Sequence, residues 1–138
     1  MIPYLMGLAG MIFVSLSSDR TLDRRYHVAI PAIMAGIALA LLGTTRSQLF
    51  FLALLSLLAV SVYSYIGPFW ALPSEFLTGI SAAAGIALIN SVGNLGGFAG
   101  PYAIGAIATR TGNLYTGLAI AGIPLFVSAA LVLLLPRK

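Results

Sequence analysis

The 138-residue sequence predicts an all-α membrane protein, a polytopic bundle of five transmembrane helices in a single domain covering residues 1–138. Sixty per cent of the residues are hydrophobic and 7% are charged, with a mean hydropathy of +1.06. A soluble surface cannot be assembled from so few polar side chains. The chain has no cysteine, which excludes disulfides, thiolate metal sites and thiol nucleophiles.

Five apolar segments follow one another along the chain, each close to the ~20 residues that a helix needs to span the hydrocarbon core. They cover about residues 1–17, 28–45, 48–70, 78–108 and 115–135. The first segment lacks the basic region and small-residue cleavage site of a secretory signal, so we interpret it as a retained span.

Short polar joints separate these segments, and none of them is long enough to hold a soluble domain. They are residues 17–25, 44–47, a proline-rich stretch at 67–79, and 110–113. Ser47 is placed to cap the third helix, and Gly112 with Asn113 provides the turn that ends the fourth.

The distribution of basic residues predicts the orientation. Five fall on one side and two on the other, namely Arg20, Arg24, Arg25, Arg137 and Lys138 against Arg46 and Arg110. Because cytoplasmic loops carry the excess of Lys and Arg, we expect the first joint, the 67–79 stretch and the C-terminus in the cytoplasm of a multi-pass inner-membrane protein. Met1 then lies outside the cytoplasm, at the start of a span that is barely long enough to cross the membrane. We therefore interpret the chain as part of something larger. The basic residues form no dense patch, so nucleic acid is not an expected partner.

The fourth segment carries the main binding candidates. Residues 81–107 contain no charged side chain but include Asn90 and Asn94, which are four residues apart and share one helix face. Amides donate to carboxylates and accept from hydroxyls, which suits a dicarboxylic or polyhydroxylated anion. The alternative is that they bond to neighbouring helices and hold the bundle together, for ~1 kcal/mol each. Ser91 is a weaker candidate because it lies ~100° away around the helix.

Glycines lie beside the asparagine face. Gly93 with Gly97, and Gly96 with Gly100, form small-residue ridges that allow a neighbouring helix to approach closely. Pro101 removes one helical hydrogen bond, which predicts a kink that serves either as a hinge or as a static bend. The same glycines resemble a nucleotide-binding loop, but no strand precedes them, so we reject that interpretation.

Tyr63 is the site candidate of the third segment. Its phenol can hydrogen-bond an anion while its ring packs against the carbon skeleton. The alternative role for this residue is contact between helices or with the membrane boundary.

The five segments contain no ionisable residue away from their ends, although a proton-coupled carboxylate carrier needs one inside the membrane. We therefore expect the coupling machinery elsewhere. His27, the single histidine, sits at the cytoplasmic boundary and is interpreted as an interfacial residue rather than a proton carrier. The sequence lacks the combinations of cysteine, histidine and acidic residues that nucleophilic or metal-assisted catalysis requires. We therefore expect no enzyme, no cofactor and no metal site.

The first joint resembles the cytoplasmic signature of the major facilitator superfamily, Gly-x-x-x-Asp-(Arg/Lys)-x-Gly-x-(Arg/Lys)-(Arg/Lys). The matching residues here are Asp19, Arg20, Arg24 and Arg25, while Ser15 and Leu22 stand in the two glycine positions.

A longer resemblance lies in residues 68–77, Pro-Phe-Trp-Ala-Leu-Pro-Ser-Glu-Phe-Leu, followed by residues 85–102. These stretches are similar to helices ten and eleven of the anion:cation symporter family, in particular its tartrate- and phthalate-type carboxylate transporters. The resemblance implies a partial major facilitator fold comprising helices eight to twelve of twelve. It also implies that the intramembrane acids and the substrate-binding arginine belong to the first half, which this chain does not include.

The resemblance further implies a cytoplasmic gate. Asp19, Arg20, Arg24, Arg25 and Glu75 would form an ion-pair cluster that latches the outward-facing state and breaks when the cytoplasmic side opens. The alternative is a solvated salt bridge worth ~0–1 kcal/mol.

Two functions follow. The first is the C-terminal part of a secondary active transporter that moves small organic anions with protons by alternating access. It would be inactive alone and completed by N-terminal helices from the same gene product or a separate chain. The second is a small standalone oligomeric carrier or a non-transporting helix scaffold in the bilayer. The lack of an intramembrane carboxylate favours the first, since a small standalone carrier would be expected to keep one.

Overall fold

The structure is a computed structural model that describes residues 1–136, so the predictions made for Arg137 and Lys138 lie outside the described residues. The described chain is all-α. Its helices are α1 (Ile2–Thr21), α2 (Arg24–Leu41), α3 (Gln48–Ser64), α4 (Ile66–Phe76), α5 (Gly79–Thr111), α6 (Leu114–Ala121) and α7 (Ile123–Leu133).

These segments form five helical units, because α3 and α4 continue one another over Gln48–Phe76 and α6 and α7 do so over Leu114–Leu133. Four units are long and apolar enough to cross a membrane: Ile2–Thr21, Gln48–Phe76, Gly79–Thr111 and Leu114–Leu133. The second unit, α2, is not among them. Its 18 residues include Arg24 and Arg25 at the start and stop at Leu41, four residues before the expected end at 45.

The first polar joint is shorter than the sequence predicts. Helix α1 continues through Thr21, whose hydroxyl donates to the carbonyl of Ser17, and only Leu22 and Asp23 separate it from α2.

The proline-rich stretch at 67–79 was expected to be a joint, but it is helical as far as Phe76. Pro68 lies in the first turn of α4, where the N–H that proline lacks has no partner inside the helix anyway. The main-chain N–H of Phe69 bonds to the carbonyl of Tyr65 at 2.8 Å and carries the helix across the interruption. The break comes later, at Leu77 and Thr78.

The two predicted helix ends that depend on local chemistry are confirmed. The hydroxyl of Ser47 accepts the N–H of Phe50 at the start of α3, at 3.4 Å. Gly112 ends α5 in the left-handed conformation, with φ of 67°, and the Asn113 side chain caps α6.

Helix α2 is the centre of the bundle and packs against α3, α4, α6 and α7, while α1 packs mainly against α3. The buried face of α2 consists mostly of small residues, and Ala29 and Ala32 meet Ala129 of α7. A second cluster joins Val28 to Leu72 and Val132. Small side chains let the helix axes approach closely, which is how helices gain contact energy where lipid competes equally for apolar surface.

Helix α1 also approaches α4 closely, at one of the two positions where the signature glycine is missing. A Cβ atom added to Gly67 of α4 would lie 2.6 Å from the hydroxyl oxygen of Ser15. The space that a glycine at position 15 would leave is thus supplied by the glycine of the opposing helix.

At the other such position, Leu22 adopts φ of 58° and ψ of 5°. This left-handed conformation lets its N–H bond to the carbonyl of Ser18 and close the end of α1. A non-glycine residue there costs roughly 1–2 kcal/mol because its Cβ crowds the following carbonyl. The Leu22 side chain is 72% exposed, so its burial offsets little of this cost.

We therefore expect Leu22→Gly to raise the free energy of unfolding by about 1 kcal/mol, after the larger chain entropy of glycine is subtracted. Helical circular dichroism during denaturation in detergent micelles measures the change. Leu16→Gly is the matched control, since Leu16 lies within α1 and is also exposed, and should lower stability by about 1 kcal/mol. Equal losses for both variants would contradict the strained conformation.

Candidate functional site

A cavity of about 460 Å³ lies between α2, α4, α5 and α7. One wall is aromatic and comes from the start of α4, where Tyr65, Phe69 and Trp70 line the space. Helix α5 contributes Ile89, Asn90 and Gly93 to the lining. The residues of the remaining walls are Val28, Ala32, Ile66, Leu125 and Ser128.

The aromatic wall is a set of edge-to-face contacts. The rings of Tyr65 and Phe69 have centroids 6.0 Å apart at 89°, and those of Phe69 and Trp70 are 5.4 Å apart at 76°. Such geometry places the positive edge of one ring against the negative face of the next. The rings therefore form an ordered apolar surface suited to the carbon skeleton of a small molecule.

Asn90 is the predicted site residue that the fold brings to this cavity. Within residues 1–136, its amide makes no hydrogen bond to the protein, so its donors and acceptor are available to a ligand. Ser128 of α7 adds a hydroxyl to the lining. The cavity thus combines apolar walls with a small number of polar groups, as ligand sites commonly do.

The other three candidates lie outside this lining. Asn94 is exposed on α5, one turn beyond Asn90. Ser91 donates its hydroxyl to the carbonyl of Ala87 at 2.8 Å. Tyr63 faces α1, with its ring centroid 6.4 Å from that of Tyr4. Their roles in binding stay predictions.

Sequence reasoning missed Ser128 as a site residue. It is the single hydroxyl in the apolar run of α7, and an isolated polar residue in such a run is a usable signal. Tyr65, Phe69 and Trp70 also line the cavity, and sequence spacing does not show on which side of the α3–α4 interruption a ring points.

Most of α5 has no neighbour in the described chain. None of its 33 residues is buried. A Cβ atom added to any of four glycines would meet nothing within 4 Å, and these are Gly93, Gly96, Gly97 and Gly100. Contacts occur towards its ends instead, where Gly117 of α6 packs against Ile104 and Leu77 reaches Gly85. Pro101 lies inside α5, so the Gly97 carbonyl lacks its usual helical donor.

Arg24 is the centre of the ionic cluster and connects three helices. Its Nε donates to Glu75 Oε1 of α4 at 2.7 Å, and its Nη1 donates to Asp19 Oδ1 of α1 at 3.0 Å. The Arg24 and Glu75 side chains are only 20% and 28% exposed, whereas Asp19 is 65% exposed. The bond to Glu75 is therefore less screened by solvent than the bond to Asp19.

The two other arginines assigned to this cluster behave differently. Arg25 is buried and donates through Nη1 to the carbonyl of Leu135, just beyond α7, at 2.6 Å. Its Nε lies 3.4 Å from Asp23 Oδ1, close enough for an ion pair but without hydrogen-bond geometry. Arg20 is exposed and forms no ion pair within residues 1–136. Among the same residues, no group of three or more His, Asp or Glu side chains is placed to hold a metal ion.

Comparison with known proteins finds transporters. The chain is 46% identical over 117 residues to a quinolone resistance transporter of Acinetobacter baumannii, covering 85% of this chain and 27% of that protein. It is 39% identical over 137 residues to a putative tartrate transporter of Agrobacterium vitis, covering 99% of this chain and 30% of that protein. It is 33% identical over 100 residues to the inner membrane transport protein RhmT of Escherichia coli, covering 72% of this chain and 23% of that protein.

The chain spans less than a third of the length of these relatives. No family model matches it. No solved structure matches it either.

The geometry of the ionic cluster predicts unequal contributions from its two acids. Glu75→Gln should lower the free energy of unfolding by about 1 kcal/mol, because it removes a charge-assisted bond to a half-buried guanidinium. Asp19→Asn, the control, should change it by less than ~0.5 kcal/mol, because Asp19 is exposed. Chemical denaturation in micelles measures both, and equal effects would show that solvent screens the two bonds alike.

Proposed function

The chain belongs to the major facilitator superfamily of membrane transporters, and we propose that it supplies helices eight to twelve of a secondary active transporter for small organic anions. Its relatives are transporters and not enzymes, and one of them is named for tartrate. In this proposal residues 1–138 form one transmembrane domain. Helix α2 also spans the membrane, which adds a fifth span to the four that are long and apolar enough. The whole transporter would work by alternating access around a site near the midplane.

The observation that carries the proposal is the chemistry of the cavity between α2, α4, α5 and α7. The free amide of Asn90 and the Ser128 hydroxyl can each donate to a carboxylate and accept from a substrate hydroxyl. The aromatic wall can cover the carbon skeleton between them. The volume of about 460 Å³ is ample for a dicarboxylate or sugar acid.

The described cavity lining contains no cation to hold an anion and no acid to carry a proton. Both groups would come from the preceding helices, in the same gene product or a separate chain. The unoccupied face of α5 supports this, because glycines with open space beside them are suited to a closely packed helix. The proposed partners are therefore a small organic anion, a coupling proton, the bilayer and those helices.

The ionic cluster fits the proposed cytoplasmic latch. Arg24 holds α1, α2 and α4 together through Asp19 and Glu75, so separating these helices on the cytoplasmic side requires breaking its bonds. The excess of basic residues at this end supports a cytoplasmic C-terminus. The similarity to RhmT, an inner membrane transport protein, supports placement in the inner membrane.

A second candidate is a standalone oligomeric carrier or scaffold, in which the glycine face of α5 packs against a second copy of the chain. Small residues spaced by four are a known dimerisation pattern for membrane helices. The free face of α5 is the observation that favours it.

The first test is uptake of labelled tartrate by vesicles containing this chain together with the N-terminal two-thirds of the tartrate transporter from Agrobacterium vitis. Uptake should require both parts. Asn90→Ala should lower uptake about tenfold through the loss of one hydrogen bond to a charged substrate. Thr109→Ala is the control on the same helix, since its hydroxyl bonds to the Gly105 carbonyl outside the cavity. Full uptake by the chain alone would overturn the proposal.

The second test asks what covers α5. In the isolated chain, Gly96→Ala should be neutral or stabilising by up to ~1 kcal/mol, because alanine favours helix and nothing obstructs its Cβ. When the N-terminal part is present, Gly96→Ile should prevent its co-purification. Gly67→Ala is the control and should destabilise the chain in both cases, because Ser15 lies against it. Loss of a homodimer of the isolated chain on Gly96→Ile would favour the second candidate instead.

A further inference from the structure

Arg25 is adjacent to Arg24 in the sequence but bonds to a different helix. We propose that Arg25 is a positioning residue of the candidate substrate cavity. By holding the end of α7 it fixes the register of α7 on α2, and with it the place of Ser128 in the cavity lining. This inference rests on the proposed role of Ser128 in binding, and it gives Arg25 a function outside the cytoplasmic latch.

The bond made by Arg25 anchors the end of α7. Arg25 is 9% exposed, and its Nη1 donates to the carbonyl of Leu135, two residues after Leu133, at 2.6 Å. Carbonyls at the C-terminal end of a helix have no donor within the helix, and this end carries a partial negative charge. The buried guanidinium satisfies such a carbonyl with a charge-assisted, directional bond.

The apolar contacts between α2 and α7 hold the register less firmly than this bond. Ala29 and Ala32 of α2 meet Ala129 of α7, and each presents a single methyl group. Such shallow ridges let the helix axes approach closely, but they interlock little when one helix slides along the other. A directional bond at one end of the contact therefore adds the constraint that the alanine surface lacks.

The contacts between the two helices follow one antiparallel register. From the charged end inward, the pairs are Arg25 with Leu135, Val28 with Val132, Ala29 and Ala32 with Ala129, and Gly36 with Phe126. At the far end, a Cβ atom added to Gly36 would lie 2.7 Å from the ring of Phe126. Helix α7 is thus held at both ends of its contact with α2, by a hydrogen bond at one end and by a close ring contact at the other.

The candidate substrate cavity lies along this contact. Both helices line it, through Val28 and Ala32 of α2 and Leu125 and Ser128 of α7. Arg25 lies outside the described lining, so its effect on binding passes through α7. A slide of α7 by one helical turn would move the Ser128 hydroxyl by ~5 Å relative to the aromatic wall of α4. That shift exceeds the length of a hydrogen bond, so a ligand held on the wall would lose the hydroxyl.

The first experiment measures the register in the full chain. The sequence has no cysteine, so an intramolecular disulfide between Ala29→Cys and Ala129→Cys reports this pair alone. Arg25→Gln should slow formation of the disulfide roughly twofold or more, because part of the population leaves the native register. Arg25→Met, which keeps an apolar stem but no donor, should act alike and removes the dependence on how Arg25→Gln folds.

Arg20→Gln is the matched control for the disulfide rate. Arg20 lies at the same end of the bundle and forms no ion pair in the part of the chain that the structure describes. Its substitution removes the same charge without breaking a bond, so the rate should not change. A rate that neither Arg25 variant alters, or that Arg20→Gln lowers equally, would overturn the proposal.

The second experiment measures uptake of labelled tartrate by the chain together with the N-terminal two-thirds of the tartrate transporter from Agrobacterium vitis. Arg25→Gln should raise KM about tenfold, as expected for the loss of one hydrogen bond to a charged substrate, and leave the maximal rate unchanged. Ser128→Ala should do the same. The double variant should lose no more than either single variant, since both remove the same contact. Losses that multiply in the double variant, or a change in the maximal rate alone, would overturn the proposal.

A tether separates the register from any other role of Arg25. In Arg25→Gln, complete oxidation of the Ala29→Cys and Ala129→Cys pair should restore KM, because the disulfide replaces the lost anchor, and reduction should raise KM again. A KM that stays raised in the oxidised protein would overturn the proposal. If the unmodified pair of chains takes up no tartrate, the proposed function fails instead, and the disulfide rate still decides whether Arg25 sets the register.

Discussion

Hydrocarbon offers no hydrogen bonds, and this constraint organises the polar side chains of the bundle. Several hydroxyls within the helices donate to the carbonyl four residues earlier, as Ser56, Ser61 and Ser91 do. Such bonds satisfy the side chain without a partner from another helix. The polar groups that do not follow this rule are therefore informative. Asn90 lines the cavity between α2, α4, α5 and α7, and the Ser64 hydroxyl is buried without a hydrogen-bond partner in the described residues.

Small residues have two different consequences in this chain. Where a neighbouring helix is present, they bring backbones together, as Gly67 does against Ser15 and Gly36 does against the ring of Phe126. Along the middle of α5 the same residue type has open space beside it. A 33-residue helix with no buried residue gains little from packing within the chain. Its stability depends on the bilayer and on what packs against its glycine face. The exposed face of α5 agrees with the chain spanning less than a third of the length of its relatives.

The end of the bundle that carries the charges is held by few, specific contacts. Arg24 joins α1, α2 and α4, and Arg25 joins α2 to the end of α7. The two adjacent arginines reach different helices because successive side chains on a helix lie ~100° apart. Leu22 adopts a left-handed conformation in the turn before them, so α2 begins only three residues after α1 ends. Strain at one residue allows the positive charges to meet their partners, and strained residues often occur where a structure must change state.

The sequence by itself determined the helical class, the membrane location and the helix ends that depend on local chemistry. Hydrophobicity and length specify spans without reference to neighbours, and the caps at Ser47 and Gly112 involve residues only a few positions apart. The tertiary structure decided the ion pairs and the cavity lining, because these bring together residues that are distant in the chain. The pairing of Arg24 with Glu75 joins positions 51 residues apart. Asn90, but not Asn94, lines the cavity that the helices enclose. Helix periodicity puts both amides on one face, but only the neighbouring helix determines which of them meets a cavity.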